Sequence, residues 1–313
     1  MSSLPCIDTD SVLATIGAMR KQEETGYQAF DYLHQQIPLQ QQMPNGPQQS
    51  VEAPVDVECR FRMTEWCYQI VDFCKFKRET VSVSMSYLDR FLCSHGGREI
   101  LLDRSKFQLA AMTSLYTAVK IHEPEAMEPG LVASLSRGAY TKEQVEQMEF
   151  KMLNAIQWRV NPPTAVAFVN QYLDLIPTSV IHQDAREAII DLAKYQTELA
   201  VTDYNFVAVN ASSIAFASLL NALESMGMDM GLLMNVEAGL SQAANIDLQS
   251  NEIRDIRIRL YEAITKQPGN GQMFTNMVSQ NNCQDNGYTK THSSVHGSPR
   301  CVAEPSPQQA IYS

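Results

Sequence analysis

The chain has 313 residues, with 24 basic side chains against 35 acidic ones, a net charge of -11 and a pI near 5.0. That length holds two compact domains plus some loose sequence. The charge argues against the phosphate backbone of nucleic acid and against anionic lipid, both of which need clustered Lys and Arg. Seven cysteines, Cys6, Cys59, Cys67, Cys74, Cys93, Cys283 and Cys301, show no CxxC spacing, so no metal site is expected. Five of them stand among apolar neighbours and read as small buried hydrophobes of a reduced compartment. No signal-peptide core and no run of membrane-spanning length occurs, which points to a soluble intracellular protein.

In chain order, residues 1–34 carry one helical pattern, with Val12, Leu13, Ile16 and Met19 on one face. Residues 35–56 are Gln- and Pro-rich and read as a disordered linker. Met63, Trp66, Cys67, Ile70, Val71 and Cys74 then form an i, i+3, i+4, i+7 stripe, and a second helix from about Thr80 turns Val81, Met85, Leu88 and Leu92 inward. A third opens at Asp103, a good N-cap, and carries no charged side chain from Phe107 to Val119. A helix apolar on every side belongs at the centre of a bundle. A short fourth holds Leu131, Val132 and Leu135. The fifth opens on a Thr141-to-Gln144 capping box and stripes through Val145, Met148, Met152, Leu153 and Ile156.

Pro162-Pro163 breaks the chain, and helical spacing resumes with Val166, Phe168, Val169, Tyr172 and Leu173, then Ala188, Ile189, Leu192 and Leu199. Another nearly uncharged helix is expected over Phe206–Leu223, and a last one through Ile253, Ile256, Leu260 and Ile264. The central apolar helix thus recurs roughly a hundred residues on. The expected fold is all-α: two tandem five-helix bundles over 57–161 and 162–266. A Gly-, Asn-, Ser- and Pro-rich tail over 267–313 reads as disordered.

Four charges break the packing pattern. Arg60 and Asp89 lie beside Trp66 and Phe91, whose pattern is that of buried side chains, and are expected to pair inside the first bundle. Lys120 ends the uncharged third helix, and Glu149 falls on the apolar stripe between Met148 and Met152. Lone charges on apolar faces are costly unless paired or covered by a partner. The rival reading of these last two is a snorkelling helix end and a solvated stripe edge.

The run MTEWCYQIVDFCKFKRETVSVSMSYLDRFL, from Met63 to Leu92, resembles the opening of a cyclin box, with its tryptophan, its ET and its Y-L-D-R-F-L ending. LAAMTSLYTAVKIHEPE resembles the central cyclin helix, and AYTKEQVEQMEFKMLNAIQWRVNPPTAVAFV the fifth helix and the Pro-Thr entry into a second box. The resemblance covers about Val57 to Lys266. It implies two cyclin boxes and a regulatory, non-enzymatic subunit, without cofactor, that binds and activates a cyclin-dependent Ser/Thr kinase in nucleus and cytoplasm. It assigns kinase contact to Lys120 and Glu149, and a buried structural pair to Arg60 and Asp89.

Departures from the family pattern are informative. The stretch that serves mitotic cyclins as a substrate-docking patch holds Cys59, Arg62, Met63 and Trp66, with Arg62 where an apolar residue is usual. His122 replaces the first of two acids that often follow the lysine. The Arg-x-x-Leu matches, Arg98 to Leu101 and Arg257 to Leu260, lie inside the folded region, so no destruction box is evident. These points lean away from a mitotic cyclin. Leu4, Cys6 and Asp8 resemble, with Asp for Glu, the Leu-x-Cys-x-Glu peptide with which G1, D-type cyclins dock retinoblastoma-like proteins. The Gln-rich linker is loosely similar to variable algal and diatom cyclins. Ser298 and Ser306 precede prolines in the tail and are candidate phosphorylation sites that a ubiquitin ligase could read.

Two rival functions share the fold. A transcription cyclin would pair with an RNA-polymerase kinase, and the sequence hardly separates it. A cyclin-fold general transcription factor would want a basic helix face and often a zinc ribbon, which charge and cysteines disfavour. For an enzyme there is no Gly-rich phosphate loop, HExxH or Gly-x-Ser-x-Gly, and His34, His95, His122, His182, His292 and His296 are scattered.

Overall fold

The computed structural model describes residues 9–34, 54–125 and 127–265. These are helical, with no strand among them, and divide into two compact units. The disordered linker expected before residue 54 and the disordered tail expected after 266 lie outside the described residues.

The first unit in chain order of its bundle comprises residues 26–34, 54–162 and 201–208. Its longer helices are α2 (Val57–Cys74), α3 (Glu79–Cys93), α4 (Arg104–His122), α5 (Pro129–Leu135) and α6 (Lys142–Ala155), with single turns over His95–Arg98 and Glu99–Leu102 between α3 and α4. Asp103 caps α4 by accepting from the Lys106 N–H, and every residue from Phe107 to Val119 is buried. α4 touches α2, α3, α5 and α6, which is the central position its missing charges require. At the start of α6 both halves of the Thr141–Gln144 capping box are formed. The stripe of α2 buries Met63, Trp66, Cys67, Ile70 and Val71, and α3 buries Val81, Met85, Leu88, Phe91 and Leu92 against it.

The second unit comprises residues 9–25, 163–200 and 209–265. It holds α1 (Thr9–Gly26), α7 (Ala165–Asp174), α8 (Gln183–Thr202), α9 (Ala211–Ser225), α10 (Met230–Ala244) and α11 (Asn251–Thr265), with α9 packed on α7, α10 and α11. α1 is an integral part of it. Val12 and Ile16 are buried, and Arg20 donates to the carbonyls of Ala244 and Asn245. Glu23 accepts from both the backbone N–H (2.9 Å) and the hydroxyl (2.6 Å) of Ser212. A carboxylate there meets the unsatisfied N–H groups and positive end of α9.

Several elements differ from the sequence expectation. Residues 54–56, counted with the linker, belong to the first bundle: Val55 is buried with its N–H on the Leu101 carbonyl, and Asp56 caps α2. The helix expected over Phe206–Leu223 begins only at Ala211. Asp203 caps a separate single turn over Tyr204–Phe206 by accepting from the Asn205 N–H, and Asn210 precedes α9. The Asp203 side chain competes with the helical backbone in this way, whereas Asn210 makes no side-chain cap bond. In α8 the buried face runs through Ile189, Ala193, Gln196 and Ala200, and Ala188 points to solvent. Gln196 has its partner: its Nε2 donates to the Ser218 carbonyl of α9 at 3.1 Å. Leu131 of α5 is exposed. α10 left no sequence stripe because it buries only Leu233, Leu240 and Ala244, and two glycines weaken its helical preference.

Ala118 in α4 is fully enclosed. Ala118→Leu forces extra methyl groups into a filled centre and is expected to cost about 1–3 kcal/mol, read as a lower midpoint in urea denaturation.

Candidate functional site

Lys120 occupies the last turn of α4, where a cation favours the negative helix end. Glu149 projects from α6, which packs alongside. The Lys120 Nζ donates to both Glu149 carboxylate oxygens at 3.2 Å, and Thr117 Oγ1 lies 3.4 Å from one of them. Lys120 also sits 5.4 Å from the centre of the Tyr116 ring. Exposure is unequal: the Glu149 side chain is 12% exposed and that of Lys120 48%. Burial works against the lysine charge. The hydrogen bond to Glu149 and its negative charge outweigh that, and Lys120 is held above the ordinary lysine value. The ammonium is therefore firmly charged, and an ammonium has three donors, so capacity remains for a further acceptor.

Large apolar side chains stand in water on the same elements. Ile121 follows Lys120, Phe150 follows Glu149, and Trp158 lies just beyond α6; the latter two are 64% and 59% exposed. Glu123, which retains the second acid position, accepts from the Lys77 N–H and the Thr80 hydroxyl. His122 turns inward, its Nε2 3.0 Å from the Val160 carbonyl and 3.0 Å from the Tyr87 hydroxyl.

Deeper in the same bundle the structure brings Arg60 of α2 to Asp89 of α3. The guanidinium donates in parallel, Nε to Oδ1 at 3.0 Å and Nη2 to Oδ2 at 2.8 Å. A third donor, Nη1, reaches the Val201 carbonyl at 2.9 Å. The Tyr32 hydroxyl donates to Asp89 at 2.8 Å, and the Tyr204 ring stacks edge-on against Tyr32 with Arg60 6.0 Å from its centre. The Tyr204 hydroxyl in turn donates to Asp31 and accepts from the Leu33 N–H. Burial works to lower the Arg60 pKa; Asp89, by its charge and hydrogen bonds, overrides this and holds the guanidinium above its usual value.

Of the docking-patch residues, Cys59, Met63 and Trp66 are buried, and Trp66 has an indole N–H without a partner among the described residues. Only Arg62 is partly open, and Glu58 takes its Nε at 2.6 Å. These four do not present an open apolar surface. Burial pushes the Cys59 thiol up to about 11 and that of Cys67 to about 12, far from thiolate chemistry. Among the described residues no cluster of His, Cys, Asp and Glu could hold a metal ion, and no helix is long and apolar enough to cross a membrane. Leu4, Cys6 and Asp8, and Ser298 and Ser306, lie outside the described residues.

Residues 18–161 match the family described as Cyclin, N-terminal domain, and residues 163–279 the family described as Cyclin, C-terminal domain. The chain belongs to the cyclin family. Its relatives include the G2/mitotic-specific cyclin-B2 of Oryzias latipes, 29% identical over 61% of this chain and 45% of that protein. Cyclin-A1-4 of Oryza sativa subsp. japonica is 25% identical over 62% and 53%, and the G2/mitotic-specific cyclin-A of Drosophila melanogaster 30% over 54% and 32%. The chain thus spans about half or less of the length of these cyclins. A solved viral cyclin from herpesvirus saimiri shares the fold, with a TM-score of 0.53 at 16% identity, covering 82% of this chain and 97% of that one. These three relatives are A- and B-type, so the lean toward a G1, D-type cyclin finds no counterpart among them. The family match also begins inside α1 and runs past residue 266, wider at both ends than the motifs that carry the resemblance.

Tyr32, Tyr204 and Thr117 complete the two charged pairs and were not singled out by sequence. Tyr32 and Tyr204 sit in short irregular segments that periodicity does not read, and the expected pairing of Arg60 with Asp89 pointed to neither. With Asp89→Ala, Arg60 keeps its charge but loses its counter-ion in a dry site. The expected cost is about 3–5 kcal/mol, measured by chemical denaturation, with Tyr32→Phe costing less because the ion pair survives.

Proposed function

We propose that this cyclin is the activating regulatory subunit of a cyclin-dependent Ser/Thr protein kinase acting in cell division. The observation that carries the reading is the Lys120–Glu149 pair, its lysine half open to solvent, with exposed Ile121 and Phe150 at the next positions of α4 and α6 and exposed Trp158 just beyond α6. A partner covering it would meet ammonium donors and a carboxylate acceptor fixed by α4 and α6, bordered by apolar area that gains by leaving water. Backbone groups at a kinase helix end match those donors and acceptors. Holding that small-lobe helix inward lets its glutamate pair with the ATP-binding lysine, the arrangement on which kinase activation depends.

The A- and B-type names of the relatives support cell division over transcription. A retinoblastoma-like partner for Leu4, Cys6 and Asp8, and a ubiquitin ligase reading phosphorylated Ser298 and Ser306, rest on sequence motifs alone.

A panel of purified cyclin-dependent kinases tests the proposal. The wild-type chain should bind and activate at least one. Lys120→Ala with Glu149→Ala should lose about 2–5 kcal/mol of binding, with circular dichroism and melting showing an intact fold. Equal activation by this double variant would refute the assignment. Phe150→Ala, next to Glu149 on α6, should raise the dissociation constant about tenfold, as truncation of an aromatic buried at an interface does, measured by calorimetric titration.

A further inference from the structure

Glu149 is the more buried member of its pair, and its two carboxylate oxygens are not held alike. Oε1 faces two donors, the Lys120 ammonium at 3.2 Å and the Thr117 hydroxyl at 3.4 Å. Among the described residues Oε2 faces only the ammonium, also at 3.2 Å. An ionised carboxylate offers about four lone-pair sites, so Oε2 keeps room for a donor from outside the chain. The two anchors differ in stiffness as well. Lys120 ends a flexible four-carbon stem that is half in water. Thr117 is fully enclosed, and its β-branched side chain turns about a single restricted torsion.

Thr117 has one hydroxyl proton and two acceptors within reach. The Thr113 carbonyl, one turn earlier on α4, lies at 2.9 Å and holds that proton in the free chain. That carbonyl also accepts the Thr117 backbone N–H in the helical ladder, so it stays satisfied when the hydroxyl turns away. A hydrogen bond to an ionised acceptor is stronger than one to a neutral carbonyl. A partner oxygen that draws on the Lys120 ammonium weakens the hold of that ammonium on Glu149. The balance of the Thr117 hydroxyl then moves toward Oε1.

We propose that Thr117 is the positioning residue of the kinase contact. Its hydroxyl turns from the Thr113 carbonyl to Glu149 Oε1 as Lys120 is engaged, and the carboxylate is thereby fixed with Oε2 toward a backbone N–H of the kinase. The proposal rests on the reading of Lys120 and Glu149 as that contact. Thr117 itself is enclosed and acts through Glu149. A threonine that only back-bonds to its own helix would leave binding untouched.

Calorimetric titration of the full-length chain with the cyclin-dependent kinase that it activates tests this. Thr117→Val is isosteric and removes the hydroxyl. It should raise the dissociation constant about tenfold, the lower end for loss of a hydrogen bond to a charged group. Thr113→Val is the control, an equally enclosed position on the same helix whose hydroxyl has no partner among the described residues. Its affinity should match wild type within experimental error. Thr117→Ser and Thr117→Ala differ in the hydroxyl alone, and the serine variant should bind about tenfold tighter. This second pair keeps the test decisive where valine disturbs the packing. Wild-type affinity in Thr117→Val, equal affinities in the Ser and Ala variants, or an equal loss in Thr113→Val would overturn the proposal while the kinase contact stands. A wild-type chain that binds no kinase of the panel would remove the contact itself, and the proposal with it.

Discussion

Arg60 and Asp89 carry opposite charges that the first bundle has taken out of water almost completely, their side chains being 4% and 8% exposed. Two ions in such a place are tolerable only if geometry and extra hydrogen bonds repay desolvation. Here the parallel two-point contact uses one edge of the guanidinium, the Val201 carbonyl takes another donor, and Tyr32 supplies a hydroxyl to the carboxylate. Each extra partner comes from a segment far away in sequence. The pair therefore does more than join α2 to α3. It fixes where residues 31–34 and 201–206 must lie, because moving either would strip a partner from a buried charge.

The second charged pair uses similar chemistry to the opposite end. Lys120 and Glu149 are joined at 3.2 Å, longer than the contacts of Arg60, and half of the lysine side chain remains in solvent. An exposed pair of this kind adds little stability. What it offers is a fixed, charged, directional surface between two well-packed helices, one of them the central helix of the bundle. Rigidity underneath and openness above are what a protein-binding surface needs. The first pair is sealed inside the bundle and the second stands half open at its surface, so the two differ in solvent access.

Much of this was legible in the amino-acid order. The stripe from Met63 to Cys74, the charge-free run from Phe107 to Val119 and the Thr141 capping box correspond to α2, α4 and the start of α6, because each is a local pattern dictated by one helix surface. The four pattern-breaking charges stood out for a related reason: a charge amid apolar spacing needs a partner. What stayed hidden is non-local. Tyr204 reads as one more aromatic before an apolar run, and only the tertiary fold sets it against Tyr32 and Asp31. Ser212 reads as a polar residue on an apolar helix until Glu23 is brought to it. α10 escaped because three well-spaced burial positions leave no stripe.

The carboxylate of Glu23 on Ser212 also orders events in time. The two residues are 189 positions apart. At synthesis rates of about 5–20 residues per second, roughly ten to forty seconds separate their emergence from the ribosome. Residues 57–155, which supply α2 to α6, appear within that interval and can collapse on one another. α1 cannot, since its donor on α9, Ser212, and its acceptor on α10, Ala244, do not yet exist. A helix made before α2 to α6 thus finds its place after them. Until it does, a nascent chain exposes the apolar face of Val12 and Ile16, the kind of surface that chaperones bind.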